Sequence, residues 1–342
     1  MAITYRDILK WGDKRENKID TATLNLIKEK FNIQISDNDV PHLSGNIPVS
    51  LGKACGIAGH ILDSIASVTG KENISIADDE RASHAYGKCY SELLLLRMGQ
   101  IPNPPDAVVY PGSIAEIEKI VSICNQHQIP IIPQGGLSSV TGGATTSKGG
   151  ISLDLTKRLN KVLEINPINQ TATIQAGIYG PALEAALNKE GFSCGHFPQS
   201  FEFSTLGGWI AAKGAGQAST GYGKIEDMIC SLAVITPSGT IKTPCYPKSA
   251  QGWDLHSLFP GSEGTLGIIA EATIKIKKYN PDLTAYSSFI FKDFSSACLA
   301  MRNCMQAGIG TPHLFRISDP EETEIAFKTS SFENTLSDKA LK

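Results

Sequence analysis

Residues 133–143 read Pro-Gln-Gly-Gly-Leu-Ser-Ser-Val-Thr-Gly-Gly, directly after the apolar run 129–132. Two glycine pairs around a short polar stretch, at the end of a strand, let bare backbone N–H groups close in on an anion with no Cβ in the way. Ser138, Ser139 and Thr141 add hydroxyl donors. The stretch reads as a cradle of amides for a pyrophosphate. It is not a P-loop, because no Gly-Lys-Ser/Thr closes it, and its glycines are not spaced as in the dinucleotide fingerprint. A glycine-rich loop by itself is most often only a loop. Its company along the chain decides what it is.

From Asp106 the pattern is α/β. Residues 107–110 form a short strand. Ser113 with Glu116 three residues on signals a helix start, and Ile117, Ile120, Val121 and Cys124 make its apolar face. Residues 129–132 are the next strand, 151–155 and 161–165 are strand-like, and 171–176 alternates as a half-buried strand. An amphipathic helix over 180–190 ends at Gly191. A strand at 229–235 runs into the turn Pro237-Ser-Gly-Thr, and 271–277 alternates again. Upstream, 21–31 is helical, 51–79 holds a helix and a short connection, and 81–97 reads as one helix whose leucine run implies a buried end. Ile101-Pro-Asn-Pro-Pro breaks that helix and marks a boundary. After 284 a strand from Tyr286, a helix over 295–307 and the run Pro312-His-Leu-Phe-Arg-Ile-Ser-Asp are expected.

Two more segments suit a large flat anion. Residues 198–216 are dominated by small side chains after Thr205, and Ser204 or Thr205 caps the helix that Leu206 begins. Residues 261–269, Gly-Ser-Glu-Gly-Thr-Leu-Gly-Ile-Ile, precede an alternating strand.

Bulk properties close off other classes. The 342 residues suffice for two domains, and 41% hydrophobic with 19% charged content fits a globular protein. A net charge of -3 gives no reason to expect a nucleic-acid partner. No run of 18 apolar residues suggests a membrane span, and Met1-Ala-Ile-Thr-Tyr-Arg-Asp lacks the apolar core of a secretory signal. Eight cysteines without a Cys-x-x-Cys pair argue against a zinc site and a disulfide framework, so reduced thiols and no metal are expected. The setting expected is cytoplasmic, with no peroxisomal signal. Lys157-Arg158 and the lysines of 275–278 read as solvated faces, with peripheral membrane contact their lesser use.

The three glycine-rich segments, in this order, resemble the flavin-binding domain of the vanillyl-alcohol-oxidase superfamily. Arg81-Ala-Ser-His-Ala-Tyr-Gly, Glu202-Phe-Ser-Thr-Leu-Gly-Gly-Trp, Gly223-Lys-Ile-Glu-Asp and Phe315-Arg-Ile-Ser-Asp are similar to one branch, the alkyldihydroxyacetonephosphate synthases, from about Trp11 to about Lys328. The resemblance implies an α+β fold. A PCMH-type FAD-binding domain of two α/β subdomains would span 101–280. An N-terminal helical segment at 1–100 would precede it, and an incomplete cap domain at 281–342 would follow.

It also implies an FAD enzyme of ether-lipid synthesis that exchanges the acyl group of acyl-dihydroxyacetone phosphate for a fatty alcohol. Its partners would be small-molecule lipid substrates, with a homodimer and peripheral membrane contact expected. In that branch the flavin is no net redox carrier; its N5 holds the substrate carbon while carboxylate leaves and alkoxide enters.

By family pattern, Pro133, Gln134, Gly135, Gly136, Leu137, Ser138 and Ser139 hold the pyrophosphate. Gln199, Ser200, Phe201, Glu202, Phe203, Ser204 and Thr205 line the rest of the FAD, with Ala212, Lys213, Gly214 and Ala215. Glu263, Gly264, Thr265, Leu266, Gly267, Ile268 and Ile269 complete the set. Arg316 matches a family arginine near substrate and flavin; a guanidinium forks onto a phosphate or a leaving carboxylate.

The chain departs from the family in two places. Leu137 stands where the family usually has a third glycine and where covalent flavoproteins often place His, so non-covalent FAD is expected. His196 reads as a polar residue packed in a turn, His84 as a satisfied helix residue, and Trp209 as packing beneath the flavin-binding helix. The family's catalytic Tyr and His lie further downstream than Lys342, so this chain is expected to be incomplete and inactive by itself. Two other readings stay open: an FAD-dependent dehydrogenase of 2-hydroxy acids such as lactate or glycolate, and a non-catalytic FAD-binding remnant.

Overall fold

A computed structural model describes residues 21–34, 50–246, 250 and 252–329. Trp11, where the resemblance begins, lies outside them. The chain divides into two compact units.

The larger unit, residues 50–283 of those described, is built on two principal sheets. In the first, β1 (Ile74–Ser75), β2 (Ala107–Val109), β3 (Ile131–Gln134) and β4 (Ile151–Asp154) lie in the order β1-β2-β4-β3. β4 is parallel to both β2 and β3. Parallel strands need a crossover, and the helix Ile114–Gln126 carries the chain from β2 to β3, the two strands that flank β4. Its start is as expected: Ser113 Oγ accepts from Glu116 N at 3.1 Å. Its face Ile117, Ile120, Val121 and Cys124 is buried.

The second sheet is antiparallel. It takes β5 (Val162–Asn166) and β6 (Thr171–Gln175) from the middle of the chain. After the short β7 (Phe192–Ser193) it resumes with β8 (Ile229–Thr236), β9 (Gly239–Lys242) and β10 (Ile268–Lys275). Its order is β5-β6-β10-β8-β9, and β7 pairs apart with β11 (Lys277–Lys278). One continuous core joins the two sheets, from Val109, Ile151 and Leu153 through Ile174, Leu206 and Ile210 to Val234 and Ile274. The α+β class and the PCMH-type layout of two subdomains agree with this architecture.

The smaller unit holds the helix Thr21–Phe31 together with residues from 284 on. Its helix Phe294–Gln306 starts at Asp293, whose carboxylate accepts from Ser296 N at 2.7 Å. A further helix, Pro320–Thr329, was not expected.

Two expectations need correction. Residues 81–97 are not one helix. Helices Asp78–Ser83 and Tyr90–Arg97 are separated by an irregular stretch over 84–89. Backbone groups there bond to another loop: Lys88 N donates to Ser139 O at 2.6 Å. The strand from Tyr286 does not form among the described residues. Residues 284–292 have no ladder partner there, and an unpaired strand leaves its N–H and C=O groups without the bonds that define it.

Candidate functional site

The exit of β3, the loop that follows it, the segment 198–214 and the loop before β10 converge on one cavity of about 340 Å³. Four contacts build it, three of them steric and one a hydrogen bond. A Cβ added to Gly136 would stand 1.9 Å from Phe203 O, and one added to Gly135 would stand 2.2 Å from Thr205 Oγ1. The cradle therefore presses directly on the second segment, and at Gly136, where it meets backbone, only glycine permits the approach. Thr205 caps the helix Leu206–Ala211 by accepting from Gly208 N at 3.3 Å. A Cβ at Gly207 would lie 2.8 Å from Ala176 Cβ, so that helix rests on the end of β6.

Three residues other than glycine are held in the left-handed backbone region beside the cavity: Leu137 (φ 53), Lys213 (φ 50) and Glu263 (φ 49). Only three more occur among the described residues, at Asn32, Gln128 and Gln170. Such strain collects at ligand clamps. It also explains why a third glycine suits position 137. Leu137 is buried all the same, and its side chain forms part of the wall.

All seven cradle residues from Pro133 to Ser139 line the cavity. Ser200, Ser204, Thr205, Ala212, Gly214, Glu263, Gly264, Gly267 and Ile269 join them. Gln199, Phe201, Glu202, Phe203, Lys213, Ala215, Thr265, Leu266 and Ile268 are neighbours in the chain but not lining residues. Arg316 belongs to the smaller unit, where its exposed guanidinium pairs with Glu322. Sequence reasoning missed Leu155, Ala176 and Ala211 as wall residues. They are apolar ends of core elements and carry no signal of their own.

The wall has two characters. Leu137, Leu155, Ala176, Trp209, Ala211 and Ile269 give an apolar floor, while Ser138, Ser139 and Thr141 bring hydroxyls. Among the lining residues the one charged side chain is that of Glu263. A diphosphate there must be held by backbone N–H groups and hydroxyls. Trp209 is buried and fixed by its Nε1–H, which donates to Ser204 Oγ at 2.6 Å. FAD has both characters, a flat apolar ring and a diphosphate, and the glycine cradle leaves its backbone bare where the diphosphate needs it. The residues present fit that cofactor.

Behind the wall His196 is buried 4.9 Å from the Trp209 ring, with neither ring nitrogen partnered among the described residues. Burial pushes it down to about 4, against the raising pull of the Glu226 charge, so the ring is neutral at pH 7. His84 is satisfied as expected: Nε2 meets Asp154 Oδ2 at 3.0 Å. No helix among the described residues is long and apolar enough to cross a membrane. No group of three or more His, Cys, Asp or Glu residues among them is placed to hold a metal ion.

Comparison with known proteins agrees with FAD as the cofactor. A family model described as an FAD binding domain matches residues 105–243. The chain is 40% identical over 257 residues to alkyldihydroxyacetonephosphate synthase of Dictyostelium discoideum, covering 74% of this chain and 42% of that protein. A solved structure of an alkyldihydroxyacetonephosphate synthase superposes with a TM-score of 0.76 at 34% identity, covering 86% of this chain and 54% of the other. Glycolate oxidase subunit GlcD of Bacillus subtilis is 33% identical over 222 residues, covering 64% of this chain and 45% of that protein. The chain thus spans about half the length of the relatives it matches.

Proposed function

This chain is a relative of the alkyldihydroxyacetonephosphate synthases that carries an FAD-binding domain, and from that premise we propose that it is the FAD-binding part of an enzyme exchanging the acyl group of acyl-dihydroxyacetone phosphate for a fatty alcohol. One observation carries the proposal: three glycine-rich segments, far apart in sequence, close on a single cavity, the first meeting the second at Gly136 at an approach that no Cβ would allow.

The backbone of Gly135–Ser139 and the hydroxyls of Ser138, Ser139 and Thr141 bind the diphosphate. Leu155, Ala176, Trp209 and Ile269 hold the ring dry, which strengthens each polar contact at its edge. FAD, when bound, supplies the reactive centre for the exchange without net redox change. Arg316 supplies a fork for a substrate phosphate or a departing carboxylate. A 2-hydroxy acid dehydrogenase is the weaker reading, because that kind of relative matches less of the chain at lower identity. A homodimer and peripheral membrane contact belong to the same proposal, supported by exposed Tyr286, Phe289 and Ile290; sedimentation velocity and vesicle flotation test them.

The test is transfer from labelled hexadecanol to acyl-dihydroxyacetone phosphate by the full-length protein, with FAD content measured in parallel. The proposal expects ether product that falls at least about tenfold in Arg316→Ala while FAD content holds. Oxidation of lactate or glycolate in place of ether formation would overturn it.

A further inference from the structure

The FAD-binding match begins at residue 105, yet a stretch before it is tied to the cradle at several points. Resting on the FAD reading, we propose that residues 81–92 are a strap that holds the cradle loop 134–146 in its anion-binding shape, with His84, Gly87 and Glu92 as positioning residues.

The strap is anchored at its start by two buried side chains. Arg81 Nε donates to Pro105 O at 2.7 Å, and His84 Nε2 meets Asp154 Oδ2, at the end of β4, at 3.0 Å. Both residues are about 2% exposed or less. Asp154 Oδ1 is engaged in turn by Thr156 N and Oγ1, each at 2.7 Å. The His84 end is therefore fixed to the first sheet.

From there the strap runs along the loop. The His84 carbonyl accepts from Gln134 Nε2 at 2.8 Å and from Ser152 Oγ at 3.3 Å. The Ala85 carbonyl accepts from Thr146 N at 3.1 Å, and Lys88 N donates to Ser139 O at 2.6 Å. Glu92, 5% exposed, accepts from Cys89 N at 3.1 Å and from the Thr145 hydroxyl. Gln134 and Ser139 line the cavity, and Thr145 follows the lining residue Ala144. Both ends and the middle of the cradle loop are thus bonded to the strap.

Gly87 shows how tight the fit is. A Cβ there would stand 2.5 Å from Ser139 O and 3.1 Å from Glu92 Oε2. The Ser139 carbonyl is turned onto the strap, where Lys88 N donates to it. Each member of Arg81-x-x-His84-x-x-Gly87 therefore has a task in this clasp: anchor, latch and close approach. A loop held in one conformation before binding loses less entropy on binding, so the strap acts on FAD affinity.

The test uses Gly87→Ala, which pushes the Ser139 carbonyl away, and Thr145→Val, which removes one hydroxyl at constant shape. FAD affinity is read by fluorescence titration, and hydrogen exchange of the FAD-free chain is followed across 134–146 and across β10. The strap expects Kd to rise about tenfold or more in Gly87→Ala and about threefold in Thr145→Val. Exchange should quicken in 134–146 and stay unchanged in β10. An unchanged Kd in both variants overturns the proposal, as does faster exchange in β10 to the same extent, which would mark general loosening. A wild-type chain that takes up no FAD overturns the FAD reading and this role with it.

Discussion

The two units of this chain handle their apolar residues in opposite ways. In the larger unit one core runs through both sheets, and residues such as Ile117, Leu153, Ile174 and Leu206 are fully buried. In the smaller unit Leu26 and Ala297 are the buried apolar residues among those described, while Tyr286 is 88%, Ile309 83% and Phe289 78% exposed. The first is a framework able to hold a precise site. The second presents a surface, and Arg316 stands on it, exposed and paired with Glu322. Under the proposed function, binding the cofactor and handling the substrate are separable demands: the first rests on backbone packed to contact, and the second is assigned to a side chain that water still reaches.

The largest effect should come from the closest backbone approach. In Gly136→Val the new side chain meets the Phe203 carbonyl, which cannot rotate aside as the Thr205 hydroxyl beside Gly135 can. FAD affinity should fall by more than about 100-fold, on the order of 3 kcal/mol. Equilibrium dialysis checks it, and full retention of FAD would break the cradle assignment.

A smaller effect concerns the buried His196. The fold keeps its ring neutral down to about pH 4, whereas an unfolded chain protonates it below its ordinary 6.5. Its stabilising contribution is therefore complete above pH 6.5 and is lost as pH falls from 6.5 toward 4. The loss is on the order of 3 kcal/mol over that window. His196→Phe should remove this slope. Urea unfolding of both proteins at pH 7 and pH 4.5 measures the difference, in which the upward-shifted Glu184 cancels. Parallel pH profiles would contradict the neutral ring.

Leu137 sets two terms against each other. Glycine there would relieve about 1 kcal/mol of left-handed strain but would forfeit about 2 kcal/mol from burial of the leucine side chain. Leu137→Gly should thus lower stability by about 1 kcal/mol, seen as a shift of the urea midpoint; a rise would show that strain outweighs burial. The smallest effect is expected outside the larger unit. Arg316→Ala should leave FAD affinity within about twofold, and a greater loss would join those two demands.

Much of the larger unit is legible in the sequence because its signals are local. Ser113 and Glu116 announce a helix, Gly191 ends one at φ 80, and 171–175 alternates as a strand should. The cradle is legible because glycine is needed where backbone meets backbone. What is not legible is contact at long range. The helix expected over 81–97 gives way because residues 84–89 bond to a loop some fifty residues on. Leu155 and Ala176 look like any core residue until their strands end at the cavity. Tyr286 and its apolar neighbours have the composition of a strand, but composition provides no partner to pair with.

The central claim is that this cavity holds FAD by packing and hydrogen bonds alone, with Leu137 offering no nucleophile to the ring. The most direct measurement loads the purified chain with FAD, removes the excess, precipitates the protein in acid and assays flavin in both fractions. The account predicts about one FAD per chain, all of it in the supernatant. A yellow pellet, or a chain that retains no flavin before precipitation, would contradict it.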